Sequence, residues 1–190
     1  LDALEKEFHF KAPRAHGLDV VASIAAMHAE KAKVFIGMGG NFVSATPDTE
    51  FTATALKKCQ LTVQVSTKLN RSHLIHGKKA LILPCLGRSE KDLQANGAQF
   101  ISVENSMGIV HQSHGHLEPH SKKLLSEPAI VAGLANATLK KSKTNWTTLV
   151  SNYDLIRAKI EKVIPGFENY NKKVRVKGGF YLPNNARENN

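Results

Sequence analysis

Apolar residues follow two different patterns in the first half of the chain. Residues 2–8 and 19–31 place them every three to four positions, which predicts two helices, and Asp19 is a suitable N-cap for the second. Three short strands are predicted at 33–38, 61–66 and 80–84. The first is continuously apolar after Lys33, a pattern that is typical of a buried strand in a parallel sheet.

A third helix is predicted between the first two strands. Thr46 is a suitable N-cap, Pro47 suits the first helical position, and Asp48 and Glu50 place acids in the first turn. This helix is expected to run to about Lys58. Because strands and helices alternate at this spacing, the pattern predicts an α/β fold, a Rossmann-like three-layer domain with a mostly parallel sheet.

The second half of the chain has a different pattern. Two short strands at 99–103 and 108–111 predict a strand-turn-strand segment, and the tail at 174–180 is expected to be extended. Further helices are predicted at 126–139, 146–150 and 152–163. The linker candidate is 140–145, so we predict one domain at 1–140 and, at 141–190, a helical extension with an extended tail. Residues 184–190 are expected to be frayed.

Composition and charge exclude several classes of protein. The 190 residues include 42% hydrophobic and 22% charged residues, which is typical of a globular domain, and no apolar run is long enough to span a bilayer. The net charge of +10 favours an anionic partner. The lysines are spread along the chain without interleaved aromatic residues, so we expect most of them to be solvated and nucleic-acid binding to be unlikely.

The two cysteines bear on the cellular location of the protein, and the first residues bear on whether the chain is part of a longer protein. Cys59 and Cys85 match neither a metal-ligand spacing nor a disulfide framework, so we expect both to be apolar fillers in a cytoplasmic protein. The chain begins without Met, in a charged helical segment rather than a signal peptide. We therefore expect an excised segment of a longer protein.

Candidate binding chemistry follows the carboxyl ends of the predicted strands, where open parallel sheets bind ligands. Residues 39–41 include two glycines before the predicted Thr46-capped helix, whose N-terminus would stabilise an anion such as a pyrophosphate. Residues 66–72 add hydroxyls, an amide and two cations. After the third strand, Glu90 supplies a carboxylate suited to a donor such as a guanine edge. An ordinary tight turn explains residues 39–41 equally well.

Four histidines lie within ten residues and suggest a metal site. They are His111, His114, His116 and His120. Their segment has loop composition, and their spacing matches no zinc pattern. No nucleophile motif is present either. We therefore expect neither a metal ligand nor a catalytic residue in this chain.

Several stretches, taken in order, resemble the third, Rossmann-like domain of molybdopterin oxidoreductases of the dimethyl-sulfoxide-reductase superfamily, and within it the formate-dehydrogenase-like alpha subunits. They are 24–28, 34–41, 63–72, 82–84, Glu90, 103–106, 117–119, Trp146, 153–157 and 165–167. The similarity extends over roughly residues 1–183. It rests on the order and spacing of these stretches rather than on any single motif.

The resemblance implies a bis-molybdopterin guanine dinucleotide (bis-MGD) cofactor with molybdenum, of which this domain binds one dinucleotide. The expected cofactor-binding residues, with Glu90 included, are Gly39, Gly40, Asn41, Gln64, Ser66, Thr67, Asn70, Arg71 and Glu90. Two positions depart from the family pattern, since Phe42 replaces the usual proline and Val65 stands where many relatives carry an acid. The second departure puts the usual guanosine contact in doubt.

The resemblance also implies what other segments would supply. In this family the cysteines of the 4Fe-4S cluster and the molybdenum ligand precede the stretch that this chain resembles. The expected partners are therefore the remaining domains of the same polypeptide, and the isolated chain is expected to be inactive. Two alternatives stay open: an independent enzyme that acts on a nucleotide or sugar phosphate, and a basic nucleic-acid-binding module.

Overall fold

Three parallel strands form the central sheet of the computed structural model, which describes residues 1–184. They are β1 (Val34–Met38), β2 (Leu61–Ser66) and β3 (Lys79–Pro84). Their order in space is β1-β2-β3. The α/β class, the parallel sheet and the positions of its strands confirm the predictions.

Contacts within the chain define two compact units. One, here called the sheet unit, comprises Arg14–Leu86 and Lys123–Glu127. The other, here called the second unit, comprises Leu1–Pro13, Gly87–Lys122 and the described residues from Pro128 on. The division at residue 140 into a cofactor domain and a helical extension stays a prediction.

Helices cover one face of the sheet. In the sheet unit, α2 (Val20–His28) begins at the predicted N-cap, where the Asp19 carboxylate accepts a hydrogen bond from the N–H of Ala22 at 2.7 Å. The helix α1 (Asp2–Phe8) belongs to the second unit. α3 (Phe42–Ala45) and α4 (Thr49–Lys58) follow β1. The buried core of the sheet unit consists of Ile24, Met27, Val43, Ala55, Leu56 and Cys59. Phe35 of β1 packs against this core.

The start of the third helix was predicted wrongly. α4 is capped by Asp48, whose carboxylate accepts from the N–H of Phe51 at 2.8 Å. Thr46 is buried instead, and its hydroxyl lies 2.8 Å from the hydroxyl of Thr52. The short helix α3 occupies the residues before it. Four residues are too few for a helical period to be visible in the sequence.

β1 was predicted to be buried, and that prediction was wrong. The side chains of Val34, Ile36 and Met38 are about half exposed, whereas β2 is buried through its centre. Both β1 and β3 are edge strands of a three-stranded sheet. The α2–α4 core contacts β1 through Phe35, and alternate residues of a strand point to the opposite face.

The second unit contains the antiparallel strands. The strands are β4 (Asp92–Gln94), β5 (Gly97–Gln99), β6 (Ile101–Glu104), β7 (Ile109–Ser113) and β8 (Phe180–Tyr181). β6 and β7 form the predicted strand-turn-strand segment, and β8 adds to it in the order β6-β7-β8. The β4–β5 hairpin was not predicted, because three residues are too few to show strand alternation.

The C-terminal helices agree with the predictions except near the tail. They are α5 (Glu127–Thr138), α6 (Trp146–Ser151), α7 (Tyr153–Val163) and α8 (Tyr170–Lys173). The predicted extended tail was wrong over 174–179, which forms turns after α8, while Phe180 pairs with Val110. Phe100, Val110, Tyr170 and Val174 form the buried core of this unit. The predicted frayed end lies, from residue 185 on, outside the described residues.

No helix within residues 1–184 has the length and apolar character needed to cross a membrane. Both cysteines are buried, as predicted, and neither forms a disulfide within the described residues. Burial raises the pKa of the Cys59 thiol.

Gly77→Ala is expected to destabilise the sheet unit by about 1–3 kcal/mol. A Cβ at Gly77 would lie 2.4 Å from the backbone carbonyl oxygen of Cys59, which cannot move freely because it accepts from the N–H of Lys78. Gly17→Ala is the matched control, since no atom lies within 4 Å of its added Cβ. Equilibrium denaturation of both variants measures the difference. Equal free energies of unfolding would contradict this account of Gly77.

Candidate functional site

Two loops meet beyond the carboxyl ends of β1 and β2. The first loop is residues 39–41, and the second loop is residues 67–70, which lead into a short 3-10 helix, Arg71–Leu74. The N–H of Gly39 donates to the carbonyl of Val65 at 2.8 Å, which extends the strand pairing into the first loop. The parallel sheet thus brings two of the predicted site segments together. They are called the paired loops below.

Asn70 connects the paired loops. Its side-chain Nδ2 donates to the carbonyl of Gly40 at 2.7 Å, and its Oδ1 accepts from the N–H of Ser72 at 2.9 Å. Its own N–H donates to Nδ1 of His73 at 3.0 Å, which completes a capping box on the 3-10 helix. Both ends of the Asn70 amide are therefore engaged within the protein.

Ser72 makes the second connection. Its buried hydroxyl donates to Oδ1 of Asn41 at 2.9 Å and accepts from the N–H of Val43 at 2.9 Å. Ser72 lay in the predicted site segment 66–72, but the sequence assigned it no role. The Asn-x-Ser spacing from Asn70 to Ser72 is the signal that could have found it, because Asx turns bond the N–H two residues on.

His73 was missed by sequence reasoning altogether. Its ring is buried, and Nδ1 accepts from Asn70, so Nε2 carries the hydrogen. Nε2 has no hydrogen-bond partner among the described residues. A buried donor without an acceptor costs about 1–3 kcal/mol, so the second loop is held at a cost in stability.

Gln64 lies beneath the paired loops. It is the register partner of Gly37, and a Cβ on Gly37 would lie 2.9 Å from Oε1 of Gln64. Its Nε2 donates to the carbonyl of Ser72 at 3.5 Å, and the side chain is buried. Gln64 therefore supports the 3-10 helix that follows the second loop, and a side chain at position 37 would require the Gln64 amide to shift.

The groups that remain open to a ligand are mostly cationic or N–H donors. Thr67, Lys68 and Arg71 are exposed, and the N–H groups of Gly40 and Asn41 have no acceptor within the described part of the chain. Neither residues 39–46 nor residues 66–76 contain a carboxylate. This combination favours an anion.

The backbone of the first loop has the conformation that glycine permits. Gly39 and Gly40 have φ angles of 67° and 66°, and no atom lies within 4 Å of a Cβ built on either. Side chains are disfavoured here by backbone strain, not by lack of space. The space in front of the first loop is therefore open.

The predicted helix dipole at this edge was placed on the wrong residues. Thr46 is the C-cap of α3 and not an N-cap, and the N-terminus of α4 is already capped by the carboxylate of Asp48. α3, which follows the first loop directly, has only four residues. The attraction for an anion at the paired loops therefore rests on loop N–H groups and side-chain cations.

Glu90 belongs to the second unit and has its own contacts. Its carboxylate accepts from the N–H of Gly87 at 2.7 Å and from the N–H of His120 at 2.9 Å. The hydrogen bond from Gly87 and then that from His120 hold the pKa of Glu90 below its ordinary value, although burial opposes the shift. Glu90 thus braces a turn, and its contact with a guanine stays a prediction.

The histidine cluster packs against aromatic and polar groups. The His114 ring lies 4.9 Å from that of Phe100 and 6.4 Å from that of His116, measured between centroids. Nδ1 of His111 lies 3.1 Å from the carbonyl of Gln112. Within residues 1–184, no group of three His, Cys, Asp or Glu side chains is placed to hold a metal ion.

Comparison with known proteins gives relatives that are much longer than this chain. It is 52% identical over 189 residues to a protein named uncharacterized oxidoreductase in Mycobacterium tuberculosis, and equally to one of that name in Mycobacterium bovis. It is 47% identical over 188 residues to Protein YdeP of Escherichia coli. Each alignment covers 99% of this chain but only 24–25% of the relative. No family model matches the chain.

Asn70→Ala is expected to lower the free energy of unfolding by about 1–2 kcal/mol, because it removes the bonds to Gly40 and to the N–H of Ser72. Asn96→Ala is the control, since Asn96 is exposed and only its backbone is bonded. Chemical denaturation compares the two variants. A loss no larger for Asn70→Ala than for Asn96→Ala would contradict the connecting role.

Glu90→Gln is expected to make stability less sensitive to acid. A carboxylate whose folded pKa is lowered contributes stability that is complete above its unfolded pKa of about 4.3 and is lost as the pH falls through the folded pKa. The variant should be less stable at pH 7 and lose less below about pH 4.3. Denaturation midpoints between pH 7 and pH 3 measure this, with exposed Glu104→Gln as the control. If the stability of Glu90→Gln depended on pH as that of the wild type does, the hydrogen bonds of Glu90 to Gly87 and His120 would not contribute to stability.

Proposed function

We propose that the paired loops bind one molybdopterin guanine dinucleotide of a bis-MGD cofactor, and that the chain is the Rossmann-like domain of a formate-dehydrogenase-like molybdenum oxidoreductase. One observation carries the proposal. Two loops at the carboxyl ends of adjacent parallel strands are joined by the Asn70 and Ser72 hydrogen bonds and leave cations and N–H donors open, without a carboxylate. Such an edge suits the pyrophosphate of a dinucleotide.

The chemistry of the available groups fits this ligand. Lys68 and Arg71 can neutralise phosphate charge, and the N–H groups of Gly40 and Asn41 can donate to its oxygens. Ser66 and Thr67 supply hydroxyls beside them, although the Ser66 hydroxyl donates to the carbonyl of Lys68 at 2.8 Å. These residues would hold the nucleotide.

Three further residues would position the loops. Asn41, Gln64 and Asn70 are engaged within the protein, together with Ser72. Their role in the proposed site is to fix the distance between the two loops. Most of the expected cofactor residues thus belong to a contact group or to a positioning group. Asn41 contributes to both groups, and Gly39 and Glu90 belong to neither.

The names of the relatives support the proposal at a coarse level. Proteins of Mycobacterium tuberculosis and Mycobacterium bovis that are similar to this chain are named oxidoreductases, and this chain spans about a quarter of their length. We propose that the 4Fe-4S cysteines and the molybdenum ligand lie in other segments of such a polypeptide. The isolated chain would then have no redox activity.

The cofactor would supply the electron chemistry when bound, through its metal and pterin. The residues of this chain would bind and orient one end of it. Cys59 and Cys85 are buried thiols that form no disulfide within the described residues, which fits the cytoplasmic location that we propose for the protein.

The test uses the full-length polypeptide and its bound cofactor. Arg71→Ala is expected to lower cofactor affinity about 10- to 100-fold, because a charged hydrogen bond to phosphate is worth about 1.5–3 kcal/mol. Molybdenum content by mass spectrometry, and guanine nucleotide released by acid, are measured per protein after purification. Both should fall together.

Lys78→Ala is the matched control, because Lys78 is an exposed cation just before β3, at the opposite end of the sheet from the paired loops. It should retain the wild-type content of molybdenum and guanine nucleotide. Arg71→Lys should lose less than Arg71→Ala, because it keeps the charge. Wild-type cofactor content in Arg71→Ala would refute the assignment of the site.

A further inference from the structure

β1 has one edge that no strand among the described residues occupies. The carbonyl of Lys33 and the N–H of Gly39 both bond to the β2 segment. In a parallel ladder, the N–H and C=O of one residue point to the same neighbour, and successive residues alternate. The N–H and C=O groups of Val34, Ile36 and Met38 therefore point away from β2, to the open edge.

The side chains on this edge are also uncovered. Val34, Ile36 and Met38 are 54%, 49% and 43% exposed. Strands of parallel sheets normally have both faces covered. Edge strands that face water are commonly protected by charge, proline or a bulge, and β1 (Val34–Met38) contains no charged residue and no proline.

A groove of about 360 Å³ runs beside β1 within the sheet unit. Its apolar lining includes Leu18, Val20, Met27, Ile36 and Phe42. Leu18 and Val20 are more than half exposed. The one carboxylate in the lining, that of Asp19, is already engaged as the cap of α2. The groove therefore suits apolar side chains that accompany a strand on the open edge.

The length of the relatives indicates where such a strand comes from. The chain spans 24–25% of each relative, so about three quarters of the polypeptide in those proteins lies outside the aligned segment. A segment of the same polypeptide is present at a high effective concentration, which no separate partner matches.

We propose that a β-strand from a part of the same polypeptide outside residues 1–190 pairs with the open edge of β1 and places apolar side chains in the groove. The sheet then has at least four strands, and β1 becomes an interior strand. This inference does not depend on the identity of the cofactor. It fails or stands separately from the proposed function.

Hydrogen exchange in the full-length polypeptide tests the pairing with an internal control. The N–H groups of Phe35 and Gly37 point to β2 and should exchange slowly whatever lies at the edge. If a strand pairs with β1, the N–H groups of Val34, Ile36 and Met38 should be protected to a similar degree. Residue-resolved mass spectrometry reads each position.

Two results of that measurement would overturn the proposal. Exchange at Val34, Ile36 and Met38 that is at least about 100-fold faster than at Phe35 and Gly37 would show an open edge. Protection that disappears when the protein is diluted to a monomer would assign the edge to a second copy of the chain.

Substitution of the edge provides an independent measurement. Ile36→Lys in the full-length polypeptide would place an ammonium against the incoming strand and should lower Tm by more than about 2 °C. Leu74→Lys is the control, since Leu74 is 78% exposed and lies outside the groove. An Ile36→Lys shift no larger than that of Leu74→Lys would count against the strand.

Discussion

The candidate site depends on two side-chain hydrogen bonds, from Asn70 to the carbonyl of Gly40 and from Ser72 to Asn41. Parallel pairing of β1 and β2 places the first and second loops at the same edge, but it does not fix their separation. The two bonds do so, with Gln64 as a support from below. Because all three side chains are engaged, we assign the proposed ligand contacts to neighbouring cations and N–H groups.

The distribution of charge explains why the cations Lys68 and Arg71 matter for the candidate site. In the second unit, several basic residues have acidic partners: Lys159 donates to Glu7, and Arg157 and Arg175 both donate to Asp154. The side chains of Lys68 and Arg71 have no hydrogen-bond or ion-pair partner among the described residues, and the paired loops contain no acid. A net charge of +10 spread over the chain says little by itself. The proposed anion site rests instead on cations without acidic partners beside open N–H groups.

Regular patterns in the sequence predicted the elements that obey them. The three parallel strands, the Asp19 cap and the long C-terminal helices follow from period and cap chemistry. α3 and the β4–β5 hairpin are too short to show a period. The exposure of β1 depends on which elements cover the sheet, and the local sequence pattern of β1 contains no information about them. The site segments were predicted, but the direction of each side chain was not. Asn41, Gln64 and Asn70 are residue types that bind sugars and phosphates, and only the hydrogen bonds reveal that here they hold loops.

The open edge of β1 and the paired loops are mechanically connected, because the first loop follows directly from β1. Pairing of a further strand would restrict β1 along its whole length, up to Met38, one residue before the loop. A ligand would then bind loops that are already ordered, so the loss of conformational entropy on binding would be smaller. By thermodynamic linkage, the bound ligand would stabilise the pairing of the strand by the same free energy. Assembly of the sheet and binding of an anion are therefore expected to be cooperative.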